Sequence, residues 1–166
     1  MRKYNTNTQG FTLVELLVSL AVFSILIAIA APNFSNMATG NKITADLNKL
    51  IGALAFAKDE AGVRDANISV ISTGGNWQKG WSVQLADGTV LLQGEAMSPN
   101  IAVINGVGIT TLTFDNSTGG LTPPLGVALV FCDNTVTLAN TRGKVLNLLP
   151  SGSISVISTG GTCPAY

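Results

Sequence analysis

Apolar residues crowd the start of the chain and then settle into two different rhythms. Residues 11–31 read FTLVELLVSLAVFSILIAIAA, interrupted by a single charge, Glu15. As a helix this run spans about 31 Å, the thickness of a bilayer's hydrocarbon core. Beyond it, Phe34, Met37, Ile43, Leu47, Leu50, Leu54 and Ala61 recur mostly at steps of three and four, while Asn36, Lys42, Asp46, Lys49 and Lys58 take other faces. That spacing predicts an amphipathic helix that ends near Gly62 and lays its apolar stripe on a core. The two halves together make a helix of roughly 75 Å. Pro32 should kink it, because proline lacks an amide hydrogen and clashes with the preceding turn.

From residue 63 onward the pattern turns to short alternating or β-branched runs. They predict strands at 68–72, 80–85, 89–92, 111–114, 127–132, 144–148 and 154–157, punctuated by Gly, Asn, Asp and Pro. Asp87-Gly88 signals a two-residue hairpin. Residues 116–120 and Thr122-Pro123-Pro124 read as loops. The fold class expected is α+β: a long kinked N-terminal helix packed on a C-terminal β-sheet-rich head. The octapeptide ISVISTGG occurs at 68–75 and again at 154–161. It is too short and isolated for a repeat architecture and reads as two similar strand-plus-turn elements.

Composition narrows the chemistry. The chain of 166 residues has room for one ordinary domain. With 46% hydrophobic and 11% charged residues it is too apolar for disorder and too poorly charged for a binder held mainly by phosphates. Nine basic residues balance nine acidic ones, and there is no histidine. The commonest general base and metal ligand are therefore missing, and two cysteines alone make neither a zinc nor an iron–sulfur site. Paired carboxylates at short spacing, a phosphate-cradling glycine loop and a nucleophile elbow are absent as well. The expectation is a non-enzyme with no cofactor, no metal and no small-molecule substrate.

Arg2 and Lys3 stand before the apolar run, which orients the N-terminus to the cytoplasm and the bulk of the chain outside. In that compartment Cys132 and Cys163 form one disulfide. It closes a loop of about 30 residues, contributes roughly 3–4 kcal/mol in the chain-entropy model, and tethers the C-terminal tail. Three readings compete for the run itself. A secretory signal peptide could be cut at Ala28-Ile29-Ala30, but the run is longer than the usual apolar region and Pro32 follows at once. A plain signal anchor leaves Glu15 unexplained, since an ionisable group in a membrane span is a functional hypothesis by default.

The third reading rests on a resemblance. Gly10-Phe11-Thr12-Leu13-Val14-Glu15, behind a short basic leader and ahead of a long apolar run with Pro32 near its end, resembles the processing site of type IV prepilins and type II secretion pseudopilins. The resemblance implies that a membrane prepilin peptidase cuts after Gly10 and methylates Phe11, which leaves Glu15 fifth in the mature chain. It divides the chain into a leader (1–10), a transmembrane and assembly helix (11–31), an amphipathic helix (32–62) and a β-rich pilin domain (63–166). Glu15 would neutralise the Phe11 amine of a neighbouring subunit and set axial register, because pairing two charges in low dielectric offsets part of the desolvation of each. Snorkelling of Glu15 to the headgroups is the plainer alternative.

Further elements resemble the GspH/FimT family. Trp77-Gln78-Lys79-Gly80-Trp81 is similar to its W-x-x-G-W element. Residues 55–61 are similar to its LxxARSEA stretch, with Lys58 for the arginine and Asp59 for the serine. Phe131-Cys132 and Leu148-Leu149-Pro150-Ser151-Gly152 look most like the FimU-type minor pilins. This implies a minor pilin that primes a type IV pilus and sits at its tip, with other minor pilins, the major pilin and the prepilin peptidase as partners. Its location would be the inner membrane, single-pass with the head in the periplasm, and then the extracellular tip.

Two alternatives stay open. One is a GspH-type pseudopilin of a type II secretion system. The other is FimT-type DNA reception for transformation through Arg142 and Lys144, where members often carry Gly-Arg-x-Arg. Here Leu146 occupies the second basic position, and the chain without its leader keeps seven basic residues against nine acidic ones. Two cations release about two counterions, so such binding would be weak and salt-sensitive. Trp77 and Trp81 read either as core aromatics or as an exposed interface anchor.

Overall fold

A computed structural model describes residues 11–105, 108–133 and 143–159. The chain divides into two compact units, Met1–Ala38 and Thr39–Tyr166. One helix, α1, runs Leu13–Arg64 and contributes to both.

In the first unit α1 is apolar all round. Leu13, Val14, Leu16, Leu17, Phe23 and Ile29 are each more than half exposed. A helix without a polar face is stable only where something apolar surrounds it. Two of its serines satisfy themselves: Ser19 Oγ donates to Glu15 O at 2.7 Å and Ser24 Oγ to Leu20 O at 2.8 Å. That removes two hydroxyls that would otherwise be unpaired in hydrocarbon. The backbone stays helical through residue 32. Phe34 and Met37 are exposed, so the buried stripe begins only at Ile43 and not at Phe34 as the spacing suggested.

In the second unit that stripe is the centre of the core. Ile43, Leu47, Leu50, Ala53, Leu54, Ala57 and Ala61 are buried in one cluster with inward residues of two antiparallel sheets. The strands are β1 (Ile68–Ser72), β2 (Trp81–Leu85), β3 (Val90–Gly94), β4 (Ile101–Asn105), β5 (Thr111–Phe114), β6 (Leu121–Thr122), β7 (Val127–Asp133), β8 (Gly143–Leu148) and β9 (Ile154–Thr159). The first sheet has the order β3-β2-β1-β5-β6 and the second β4-β7-β8-β9. Ile68 and Val70 on β1, Phe114 on β5, Leu129 and Phe131 on β7, and Leu146 and Leu148 on β8 point inward at alternate positions, the period of a half-buried strand. The fold class is α+β, as expected.

Four expectations change. The helix passes Gly62 and ends at Arg64, where Asp65 adopts φ 50 and Ala66 N–H donates to Ala61 O at 3.3 Å. This is a Schellman-type stop with aspartate in the left-handed position glycine usually holds. Asp65 tolerates it because its Oδ1 accepts from Asn116 Nδ2 at 2.7 Å. The β2–β3 loop has three residues, since Leu85 N–H donates to Thr89 O at 2.9 Å and Gly88, at φ 87, follows a turn closed by its own N–H on Leu85 O. Thr122, expected in a loop, pairs with Thr113 in the two-residue strand β6. Finally, β4 was not foreseen. Its run Ile101-Ala102-Val103-Ile104 does not alternate, because Ile101 faces the main core while Ala102 faces a second small cluster on the opposite side of the sheet.

The 116–120 loop is built by Asp115. Its Oδ1 accepts from the amides of Ser117 and Thr118 at 3.0 and 2.9 Å and from both hydroxyls. The Ser117 hydroxyl first, then the Thr118 amide and hydroxyl, hold this carboxyl below its ordinary value.

Candidate assembly site

The first turn of α1 carries the most specific chemistry in the chain. Thr12 is its N-cap: the Glu15 amide donates to Thr12 Oγ1 at 3.2 Å, and Glu15 Oε2 accepts from the Thr12 amide at 3.4 Å and from its hydroxyl at 3.3 Å. This reciprocal arrangement is a capping box, and T-x-x-E was its legible but overlooked signal. It turns the carboxylate back toward the chain's start, onto the amide next to Phe11. Phe11 itself is 78% exposed. The helical stretch that follows, Leu13–Ala30, is long and apolar enough to cross a membrane. Gly10 lies outside the described residues.

Within the second unit, the Trp77–Trp81 element is a structural hinge between two strands. Trp77 begins a short 3-10 turn, Trp77–Lys79, and its Nε1 donates to Ile109 O at 2.8 Å. Gly80 then takes φ 101, ψ −172, and a Cβ there would lie 2.7 Å from Gly94 O. Only glycine fits both the dihedral and the space. Trp77 and Trp81 are 3% and 2% exposed, so both are core aromatics and not an exposed pair.

Two charged residues are also set inward. Asp46, expected on a solvent face, is buried because its Oδ2 accepts from the Ser98 amide at 2.8 Å, just before β4. Lys58 reaches the β8–β9 turn, its Nζ 3.4 Å from both Ser151 O and Gly152 O. The 55–61 and 148–152 segments thus meet at one lysine.

Residues 46–152 match the family of the type II transport protein GspH, and residues 5–31 match the prokaryotic N-terminal methylation motif. The chain belongs to the GspH family. Its fold is also that of the type IV minor pilin FimU of Pseudomonas aeruginosa strain PAO1. One crystal form aligns with a TM-score of 0.61 and 23% identity over 73% of this chain and 95% of the crystallised FimU chain. Another gives 0.59 and 24% over 71% and 98%. No curated protein is significantly similar in sequence. Family and fold are those of pilin-type structural proteins.

Two more candidate residues of this GspH-family chain, Cys132 and Lys144, lie near one end of the second sheet. Cys132 is buried on the side of β7 that faces away from the main core, with Ala102, Ile104 and Val130. It stands opposite Gly143, which in turn stands opposite Thr159. Lys144 lies between Phe131 and Ser158 in register and is half-buried. Arg142 and Cys163, the expected partners of Lys144 and Cys132, lie outside the described residues. Among the described residues there is no cluster of three His, Cys, Asp or Glu able to hold a metal.

Proposed function

We propose that this GspH-family chain is a minor pilin, cut after Gly10, methylated on Phe11, and built into a type IV pilus where it primes assembly and occupies the tip. The observation that carries this reading is the methylation motif over 5–31 running directly into a helix that is apolar on every face. Such a helix needs an apolar surround before and after assembly, first lipid and then the helices of other subunits. A kink at Pro32 belongs to the same reading. The test is mass spectrometry of sheared fibres. A chain starting at methylated Phe11, far below the major subunit in copy number, is expected. A copy number equal to that of the main fibre subunit rules out the minor role.

A second reading has one observation in its favour: the matching family is described as a type II transport protein. A pseudopilin of that system would carry the same N-terminus. Secretion genes beside its gene, and a secretion defect without loss of pili on deletion, would decide for it.

The disulfide is part of the proposal. Cys132, Gly143 and Thr159 lie in one row, and neighbouring strands are about 4.8 Å apart. Residues 160–163 must therefore cross about 10 Å to bring Cys163 to Cys132, within the reach of about 13 Å for four extended residues. Gly143 offers no side chain in the way. Denatured, non-reduced protein from cells should take up no thiol label, and modification of both cysteines refutes the bond.

DNA reception receives little support from charge. A gel shift on the detergent-solubilised chain should show no complex, or one lost by physiological salt. A salt-resistant complex abolished by changing Arg142 and Lys144 together would reverse that ranking.

A further inference from the structure

Trp81 is 2% exposed, yet its indole Nε1–H has no hydrogen-bond partner, whereas the indole of Trp77 is paired. A buried donor left unpaired is costly and rare, and it asks for an explanation. The indole lies so close under Gly94 that any Cβ at that glycine would overlap its Cε2, Nε1 and Cδ2 atoms. Gly94 and Trp81 together line an open groove of about 340 Å³ between α1 and β3. Gly52 and Ala53 of α1 form the opposite wall, with Leu92 and Glu95 along the strand side.

Three observations select an extended polypeptide as its occupant. First, among the described strands β3 is the outer one of its sheet and is bonded only to β2. The free side of such a strand presents amides and carbonyls at the spacing of another polypeptide backbone, and Val90-Leu91-Leu92-Gln93-Gly94 carries no charge to repel one. Second, a Cβ on Gly52 would meet nothing within 4 Å. The chain's own packing does not require glycine at this mid-helix position, where it is a poor helix former; it leaves room for a backbone to approach closely. Third, the Lys49 ammonium sits 3.5 Å from Asp46 and 4.0 Å from Glu95, so two carboxylates share one cation. The Glu95 side chain is 87% exposed and complements a basic residue on the occupant.

The geometry points to a docking groove for an extended segment of a different pilin subunit, uncharged where it passes Leu92, basic beside Glu95, and seated over Gly94 with the unpaired indole of Trp81 beneath it. Taking the partner to be a pilin rests on the proposed function. The test uses the full-length chain in cells that make the fibre, with the photoreactive residue p-benzoylphenylalanine at Leu92. Irradiation should give an adduct to another pilin subunit, mapped by mass spectrometry to a segment with a lysine or arginine close by. Gly52→Leu fills the groove, meets open space and improves helix propensity, so the melting temperature holds while the adduct falls about tenfold. Glu95→Lys, at an exposed side chain, should reduce it severalfold, on the order of a lost charge pair. No adduct, an adduct to lipid, to a second copy of this chain or to a non-pilin protein, or a yield unchanged by both variants each overturns the assignment. The chain's presence in sheared fibres, measured in the same cells, reports on the minor-pilin reading separately. A chain found in the fibre without the adduct sinks the groove and leaves that reading standing.

Discussion

Gly10→Val should leave residues 1–10 attached in essentially every copy and remove the chain from the fibre. The residue before the cut must let the peptidase approach the backbone closely, and glycine is the one residue with nothing in the way. A β-branched side chain there adds bulk on both sides of Cβ and stiffens the peptide. The consequence reaches beyond the cut. Without cleavage Phe11 remains an amide-linked residue, so no amine is created for a neighbouring Glu15 to neutralise. A ten-residue leader with eight polar or charged residues would also stay on the membrane end of the helix. Intact-mass measurement of chain from native membranes should show the retained leader in the variant and methylated Phe11 in the natural protein. A natural chain that instead begins near Ala31 establishes an ordinary signal peptide and ends the pilin reading.

Glu15 gives the second large effect, and its geometry makes the experiment sharper than removal of a charge. Its carboxylate closes the capping box on Thr12 in the single chain, so loss of incorporation in Glu15→Ala could come from the cap or from the charge. Glutamine serves equally well in a capping box but carries no charge. If pairing across subunits drives assembly, both Glu15→Ala and Glu15→Gln should fall out of the fibre. Breaking a desolvated pair costs about 3 kcal/mol or more, roughly a hundredfold in an assembly equilibrium. The melting temperature should not move in either variant, because the core of the second unit starts at Ile43. Quantitative blotting of sheared fibres against membrane-retained chain reads the outcome. A glutamine variant that assembles like the natural chain would assign Glu15 to helix capping and remove the charge argument.

Much of this molecule was readable because its signals are periodic. The stripe from Ile43 to Ala61 and the strands at 68–72 and 111–114 follow from spacing alone, and the structure places them as expected. The readings that failed did so where one tertiary partner overrode a local pattern. Asp46 is polar at a polar-looking position, and the Ser98 amide, 52 residues away, joins the Lys49 ammonium in making burial favourable. Asp65 replaces glycine at the helix stop because Asn116 holds its side chain. β4 was invisible because a strand with cores on both sides loses its alternation. At the N-terminus the opposite holds. The methylation motif that matches residues 5–31 is local, so its string was legible, and the capping box was legible in the same six residues. The unpaired indole of Trp81 could not be read from any spacing, since it depends on where Gly94 and α1 fall around it.

The repeated ISVIS segment has a consequence for how the chain finds its topology. As β1 it is an inner strand with Ile68 and Val70 completely buried; as β9 it is an edge strand with Val156 and Ile157 exposed. Identical side chains cannot tell the two slots apart, so during folding either copy is chemically competent to occupy either one. Connectivity breaks the tie. β1 is linked to β2 through the turns around Gly80, and β9 to β8 through a tight turn in which Gly152 N–H donates to Leu149 O. Local hairpins close in microseconds, well before distant segments meet, so each copy is claimed by its nearest neighbour in sequence. The addresses of these strands are therefore written in their turns. Lengthening the turn at 149–153 would let the two copies compete, and strand exchange would follow without any change in the strands themselves.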